Sequence, residues 1–406
     1  MSHTSIIYRA RWVIPAEAPP VPDGAVVASE GRIVRVGPWR TVEPHVTPSD
    51  TVEHFPEGAL LPGFVNAHTH LGLSDMVGRF RPTRNFPSWI GRLTARLMLR
   101  SVGAARRAVA EGAAASRAAG TVAGADMAHD PRTTEPLDAA DARWTVFGEL
   151  FRFGEEGLKR LGETLAALEA RAEGGGTAVG LGPHAPYTAS TEVFLAARRE
   201  ADARGWPVTT HLHETEDELA FTERGEGTLY EWMRRLRVLP GNWRPPGLRP
   251  IPALAEAGFF GGPVLVAHGN YLTDPEIDVL ARSGSSVVYC PRSHAFFGHR
   301  DHPCRRLLAA GVNVCLGTDS LASCPTLSVL DEMRYVAETK PDADPRVLLA
   351  MGTAGGARAL GLADRVGDLR PGLVAACGVV TPVPETDDPL YAILAGEGTL
   401  RPLPGR

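Results

Sequence analysis

A chain of 406 residues with 44% hydrophobic and 22% charged side chains can bury a sizeable core, which excludes a disordered or fibrous polymer. Its formal charge of -5 comes without any basic run interleaved with aromatics, so neither nucleic acid nor an anionic membrane is an expected partner, and a small molecule is. No stretch approaches the roughly 18 apolar residues of a membrane span, and the first residues lack a charged segment followed by an apolar one, so a cytoplasmic protein is expected.

Ile6 to Pro15, Gly24 to Val36 and Thr51 to Phe55 read as short strands, with Glu30-Gly31-Arg32 as a hairpin turn. From Leu60 the pattern changes to strands alternating with helices, the mark of parallel βα units. Leu61 to Ala67 is an apolar strand that ends in His68-Thr69-His70. Ser101 to Ala119 is an Ala-rich helix followed by a strand at Thr121 to Asp126, and Trp144 to Leu150 is the next strand. Glu155 to Ala172 is a helix whose Leu158, Leu161, Leu165 and Leu168 recur at helical spacing as a core stripe. Strands follow at Ala178 to Gly182 and at Pro207 to His211. A long Pro-rich connection through Gly241 to Pro246 is a candidate insertion over the site. Further strands are expected at Pro263 to Ala267, Ser286 to Cys290 and Val312 to Leu316, with a capped helix opening at Thr273.

About eight βα units fit a (β/α)8 barrel over residues 60–360. The short strands of residues 1–59 and the tail 361–406 are too small to stand alone and are expected to combine in one β-sandwich domain.

Several strand ends carry imidazoles or carboxylates: His68 and His70, His211-Leu212-His213-Glu214, His268, and Asp319. Two residues apart on a strand, His68 and His70 point to the same side. In a barrel the C-terminal strand ends share one face, so His68, His70, His211 and Asp319 should converge as three imidazoles and a carboxylate. That donor set suits one divalent metal ion, zinc first and iron second, rather than magnesium or calcium. A metal-bound hydroxide available near pH 7 makes hydrolysis the expected chemistry. Glu214 is the expected proton shuttle to a substrate ring nitrogen, Asp319 the acceptor of the water proton, and His268 the group that orients the hydroxide or steadies the oxyanion.

His213 should point away from His211 by alternation. His184, after Gly-Pro, is a candidate substrate contact. His294, His299 and His302 are either loop residues or pocket residues, and Asp75, Asp126 and Glu149 are read as satisfying loop backbone. The five cysteines, Cys290, Cys304, Cys315, Cys324 and Cys377, lack the spacing of a zinc module and read as reduced thiols.

The runs Pro62-Gly63-Phe64-Val65-Asn66-Ala67-His68-Thr69-His70, Gly182-Pro183-His184-Ala185-Pro186-Tyr187, His211-Leu212-His213-Glu214-Thr215, His268-Gly269, Cys290-Pro291-Arg292-Ser293-His294 and Gly317-Thr318-Asp319-Ser320 resemble the amidohydrolase superfamily, in its branch of cytosine deaminase, triazine hydrolases and S-adenosylhomocysteine-type deaminases. The resemblance implies a mononuclear site with His68, His70, His211 and Asp319 as ligands. Two-metal branches use a carboxylated lysine, and the only lysines here, Lys159 and Lys340, lie in helices.

It also implies deamination of an aminopurine-type ring on an adenosine-like nucleoside, with aminodeoxyfutalosine as the specific substrate suggested. Expected substrate contacts are His184, Trp89, Phe86, Arg292, His294 and Ser320, and Arg79, Arg81 and Arg84 are further candidates to hold a carboxylate. The usual Ser-Asn after Cys-Pro is Ser293-His294 here, and Leu373 to Cys377 lacks the common Ala-Asp-Leu. The alternatives are hydrolysis of a C–N or C–Cl bond on a triazine, guanine or cyclic amide, and a non-catalytic binding barrel. Related enzymes are often dimers, so a homodimer is expected.

Overall fold

A computed structural model of the chain describes residues 4–174, 177–396 and 398–404. Packing divides the described chain into two compact units: Met1–Ala67 with Ala115–Gly124 and Ser328–Arg406, and His68–Ala114 with Ala125–Leu327. In the first unit β1 (Ile6–Val13) pairs antiparallel with β2 (Val21–Ser29), and β2 pairs with β3 (Arg32–Pro38). The β2–β3 turn lies at Glu30-Gly31, with φ of 51° and 72°. Two successive left-handed residues match the twist of a tight hairpin, and glycine at the second adopts that conformation without strain. β4 (Thr51–Pro62) runs parallel to β1 and ends at Pro62, which has no N–H to extend the ladder.

The next eight strands form two four-stranded sheets. One follows the chain as β5 (Phe64–Thr69), β6 (Thr121–Ala128), β7 (Arg143–Leu150) and β8 (Ala178–Pro183). The other contains β9 (Thr209–Leu212), β10 (Leu265–His268), β11 (Ser286–Tyr289) and β12 (Asn313–Leu316). The pairs β7–β8, β9–β10, β10–β11 and β11–β12 are parallel. Every residue of β5, β6, β9 and β10 is buried, as expected for parallel strands covered on both faces. Two isolated parallel bridges, Leu181↔Val208 and Thr69↔Asp319, join β8 to the approach of β9 and β5 to the loop just beyond β12. The fold is thus mixed α/β with parallel-strand sheets.

Helices fill the connections. Val102–Ala118 and Gly154–Glu173 lie where the sequence predicts them, and Thr191–Arg204 fills the connection between β8 and β9. Asp274–Arg282 carries the full capping box between Thr273 and Glu276, which satisfies two orphan N–H groups at once. The leucine stripe is buried at Leu161 and Leu168, whereas Leu158, near the start of the helix, is 42% exposed, so it is not the core residue expected. The long connection after β9 contains three helices, Glu216–Arg224, Thr228–Arg235 and Pro250–Glu256. Its Phe221, Tyr230 and Trp243 join an aromatic cluster with Phe86 and Trp89 of a helix that the sequence pattern did not predict, Phe86–Met98. That helix is capped by Asn85, whose side chain accepts the Ser88 N–H.

Near the chain's end β13 (Cys377–Thr381) pairs antiparallel with β4 and with β14 (Thr399–Pro402). The first unit's sheet therefore runs β14-β13-β4-β1-β2-β3 and joins strands from both halves of the sequence. No described helix is long and apolar enough to cross a membrane.

Gly317, just past β12, passes close to His68. A Cβ there would sit 2.8 Å from His68 Cβ and 2.9 Å from its carbonyl oxygen, which accepts the Asp319 N–H at 3.0 Å. Replacing Gly317 by Ala should destabilise the fold by about 1–3 kcal/mol, seen as a lower midpoint in thermal unfolding.

Candidate active site

β5 delivers His68 and, just past its end, His70; β9 supplies His211, and Asp319 follows β12. The three imidazoles present ring nitrogens within 4.8 Å of one another. His70 Nε2 and His211 Nε2 face each other at 3.3 Å, close to the roughly 3.3–3.4 Å between two nitrogens bound tetrahedrally to zinc at 2.0–2.1 Å. Asp319 Oδ1 lies 3.7 Å from His70 Nε2 and 3.9 Å from His68 Nε2. His68 is fully buried, and among the described residues neither of its ring nitrogens has a hydrogen-bond partner. Orphaned polar atoms of this kind are costly, and a cation held among these donors would relieve them.

Burial holds the imidazoles of His68 and His211 well below their ordinary pKa, and neighbouring imidazoles push the same way. Burial also lowers His70, against the opposing pull of Asp319. Neutral imidazoles have the lone pairs that a metal requires. The residues present therefore fit one divalent ion such as zinc, which His68, His70, His211 and Asp319 would hold.

Asp319 is oriented by two hydroxyls. Ser293 Oγ and Ser323 Oγ donate to its Oδ2 at 2.6 and 2.9 Å, leaving Oδ1 toward the imidazoles. The sequence singled out Ser320 instead, whose backbone oxygen accepts the N–H groups of Ser323 and Cys324. Asp319 and His268 both hold positive φ, 58° and 71°, uncommon for residues other than glycine and concentrated at functional sites.

Glu214 is buried beside the imidazoles. Its Oε1 is 3.8 Å from His268 Nε2, and its Oε2 accepts the Tyr187 hydroxyl at 3.5 Å. Burial raises the Glu214 carboxyl well above the ordinary value, and the nearby Asp319 and Glu218 add to this. Glu214 is aimed by its own backbone: the Glu218 carboxylate accepts the N–H groups of His213 at 3.0 Å and Glu214 at 2.8 Å. His213, at φ 55°, turns its ring away from the imidazole cluster, toward Arg249 and Glu276. Asn270 ties the arrangement together, donating to the Glu214 carbonyl and contacting His294 Nδ1 through its Oδ1 at 3.0 Å.

The remaining expected residues divide into two groups. His184 lies inside, its ring 4.6 Å from those of His211 and Phe151. Phe86 and Trp89 are buried in the aromatic cluster, and Phe86 meets Tyr187 edge-on at 6.1 Å. Arg292 is bonded to Thr326, and His294 to Asn270 and the Arg300 carbonyl. Arg79 donates to the Asp75 carbonyl, and Asp75 pairs with Arg100. Asp126 does serve loop backbone, accepting the Leu71 N–H at 2.7 Å, and burial lifts its pKa to about 7. Glu149 does not: its carboxyl lies 4.0 Å from both His70 Nδ1 and His184 Nε2.

A model of the amidohydrolase family matches residues 59–396. The chain belongs to the amidohydrolase family. This amidohydrolase is 31% identical over 398 residues to the 5-methylthioadenosine/S-adenosylhomocysteine deaminase of Desulforudis audaxviator, covering 90% of this chain and 83% of that one. It is 32% identical over 356 residues to the aminodeoxyfutalosine deaminase of Deinococcus radiodurans, covering 82% of each. Among solved structures, a zinc-bound adenosine deaminase from Xanthomonas campestris superposes with a TM-score of 0.81 at 26% identity, over 97% of this chain and 90% of that one. The aminofutalosine deaminase of Helicobacter pylori, in complex with methylthio-coformycin, shares the fold at a TM-score of 0.86 and 20% identity, over 98% of each chain. Family and relatives make this amidohydrolase a hydrolase of carbon–nitrogen bonds other than peptide bonds.

Because Ser293 orients the one carboxylate of the ligand set, removing its hydroxyl should loosen the amidohydrolase's grip on metal. Ser293→Ala is expected to lower zinc affinity about tenfold to hundredfold in competition with a chelator, with the fold intact by circular dichroism.

Proposed function

We propose that this amidohydrolase is a zinc-dependent deaminase that releases ammonia from the aminopurine ring of an adenosine-like nucleoside, aminodeoxyfutalosine among the candidates. The observation that carries this is the meeting of His68, His70, His211 and Asp319 Oδ1 beside a separate acid–base pair, Glu214 and His268. The named relatives support the nucleoside substrate. Strand order and the two closing bridges support a (β/α)8 barrel over residues 60–360, with residues 1–59 and 361–406 as its companion β-domain. In such a barrel the C-terminal strand ends open on one mouth.

Bound zinc supplies Lewis acidity, which brings the pKa of a water to about 7. Asp319 Oδ1, left open by the serines on Oδ2, accepts the proton of the attacking water. Glu214, kept protonated by burial, donates to the ring nitrogen next to the carbon that carries the amine, making that carbon electrophilic. Neutral His268 donates a hydrogen bond to the oxygen as charge develops on it. The proton on Asp319 then passes to the amine, the carbon–nitrogen bond breaks as the added hydroxyl returns its remaining proton to Glu214, and ammonia leaves behind a ring carbonyl. Phe86 and Trp89 offer flat apolar surface for the rest of the substrate.

Zinc-loaded enzyme should release ammonia from adenosine-type nucleosides in preference to guanine and triazines. Glu214→Gln should lower kcat by about a hundredfold to ten-thousandfold with zinc content unchanged by metal analysis. Near-normal turnover in that variant would remove Glu214 from the chemistry.

A further inference from the structure

Glu149 is a buried carboxyl to which the chemistry above gives no task. It stands near the end of β7, level with Gly182 of β8, with its side chain 5% exposed. Among the described residues its Oε1 has no hydrogen-bond partner. The 4.0 Å from Oε1 to His184 Nε2 is too long for a direct hydrogen bond. Glu149, His184 and His211 are spaced closely enough to hold a cation. However, both nitrogens of His211 are already committed, Nε2 facing His70 Nε2 at 3.3 Å and Nδ1 facing the His184 carbonyl at 3.2 Å. A second metal would have to share a ring with no lone pair left, so the space between Glu149 and His184 suits a neutral hydrogen-bonding group.

The neighbours of His184 define that group. The Thr188 hydroxyl meets His184 Nδ1 at 2.8 Å and the Ala185 carbonyl at 3.1 Å. With Nδ1 taken by Thr188, Nε2 is the ring nitrogen left facing the Glu149 carboxyl, whichever of the two carries the proton. The unpartnered carboxyl oxygen of Glu149 needs a donor, and a hydroxyl can donate to it and accept from the imidazole N–H, or the reverse, whereas a group that only accepts cannot satisfy both. The nucleoside portion of an adenosine-like substrate has donors in only two places: the exocyclic amine, consumed by the reaction, and the sugar hydroxyls. Its purine nitrogens N1, N3 and N7 are acceptors.

We propose that Glu149 and His184 form a subsite for a ribose hydroxyl, with Glu149 the residue that sets preference for ribonucleosides over deoxynucleosides. The proposal rests on the nucleoside-deaminase assignment and adds its sugar specificity. The test compares zinc-loaded wild type with Glu149→Ala and Glu149→Gln on adenosine, 2′-deoxyadenosine and 3′-deoxyadenosine, with zinc content and thermal midpoint measured for each protein. Wild type should prefer adenosine over one deoxy analogue by about tenfold to hundredfold in kcat/KM. Glu149→Ala should lose that preference, mainly through a higher KM for adenosine, and stay within about twofold of wild type on the analogue lacking the bound hydroxyl.

Glu149→Gln, which keeps the shape and one acceptor, should fall between the two, and it decides the matter if the alanine variant does not fold. Equal loss on all three substrates, loss of zinc along with activity, or undiminished discrimination in either variant would overturn the subsite. Wild-type enzyme that releases no ammonia from any nucleoside would overturn the deaminase assignment itself, an outcome visible before any variant is made.

Discussion

The constraint on which the site depends is the burial of an imidazole, His68, that finds no hydrogen-bond partner among the described residues. His68, with both nitrogens orphaned at zero exposure, would be an expensive way to fill a core if nothing else sat beside it. The expense becomes intelligible once His70, His211 and Asp319 Oδ1 are seen to face the same point from other strand ends. Burial keeps these rings neutral, and the same burial denies water the chance to compete for them. The features around them hold the donors still: Ser293 and Ser323 on the far oxygen of Asp319, and Gly317, which lets the chain lie against His68.

Strain and buried charge gather at the same place. His213, His268 and Asp319 all have left-handed backbone at or just beyond the ends of β9, β10 and β12. Each turns the chain sharply where a side chain must be aimed, and surrounding hydrogen bonds hold the turn, as when the Glu218 carboxylate accepts the N–H groups of His213 and Glu214. Burial raises the carboxyls of Asp126, Glu149, Glu214 and Glu218. A core with so many carboxyls raised by burial is poor design for stability alone, and it places titratable protons where a deaminase needs them.

Much of this was legible in the residues. Strand ends carrying His68, His70, His211, Glu214, His268 and Asp319 stand out because an apolar run followed by an imidazole or carboxylate is conspicuous against a buried strand. Other features were hidden for identifiable reasons. The Phe86–Met98 helix follows an irregular run through Pro82 and carries Pro87 in its first turn, and its cap at Asn85 is a single side-chain bond. Leu158 keeps the helical spacing of its stripe but stands exposed near the start of the helix, where Gly157 beside it is the residue packed inward. Ser293 looked like one member of a motif, since a hydroxyl's partner 26 residues away leaves no periodic trace.

Sequence alone determined the class of chemistry: residue types at strand ends fix the donor set, and that set selects a borderline metal and hydrolysis whatever the exact packing. It also determined the alternation of strands and helices, because local periodicity is a property of neighbouring residues. Only the tertiary structure decided which carboxylate serves the loop and which enters the site. Asp126 and Glu149 both lie near the ends of strands buried on both faces, where alternation gives no contrast between inside and outside. Their separate roles, one on the Leu71 N–H and one beside His184, follow from contacts between distant segments, which no local pattern encodes.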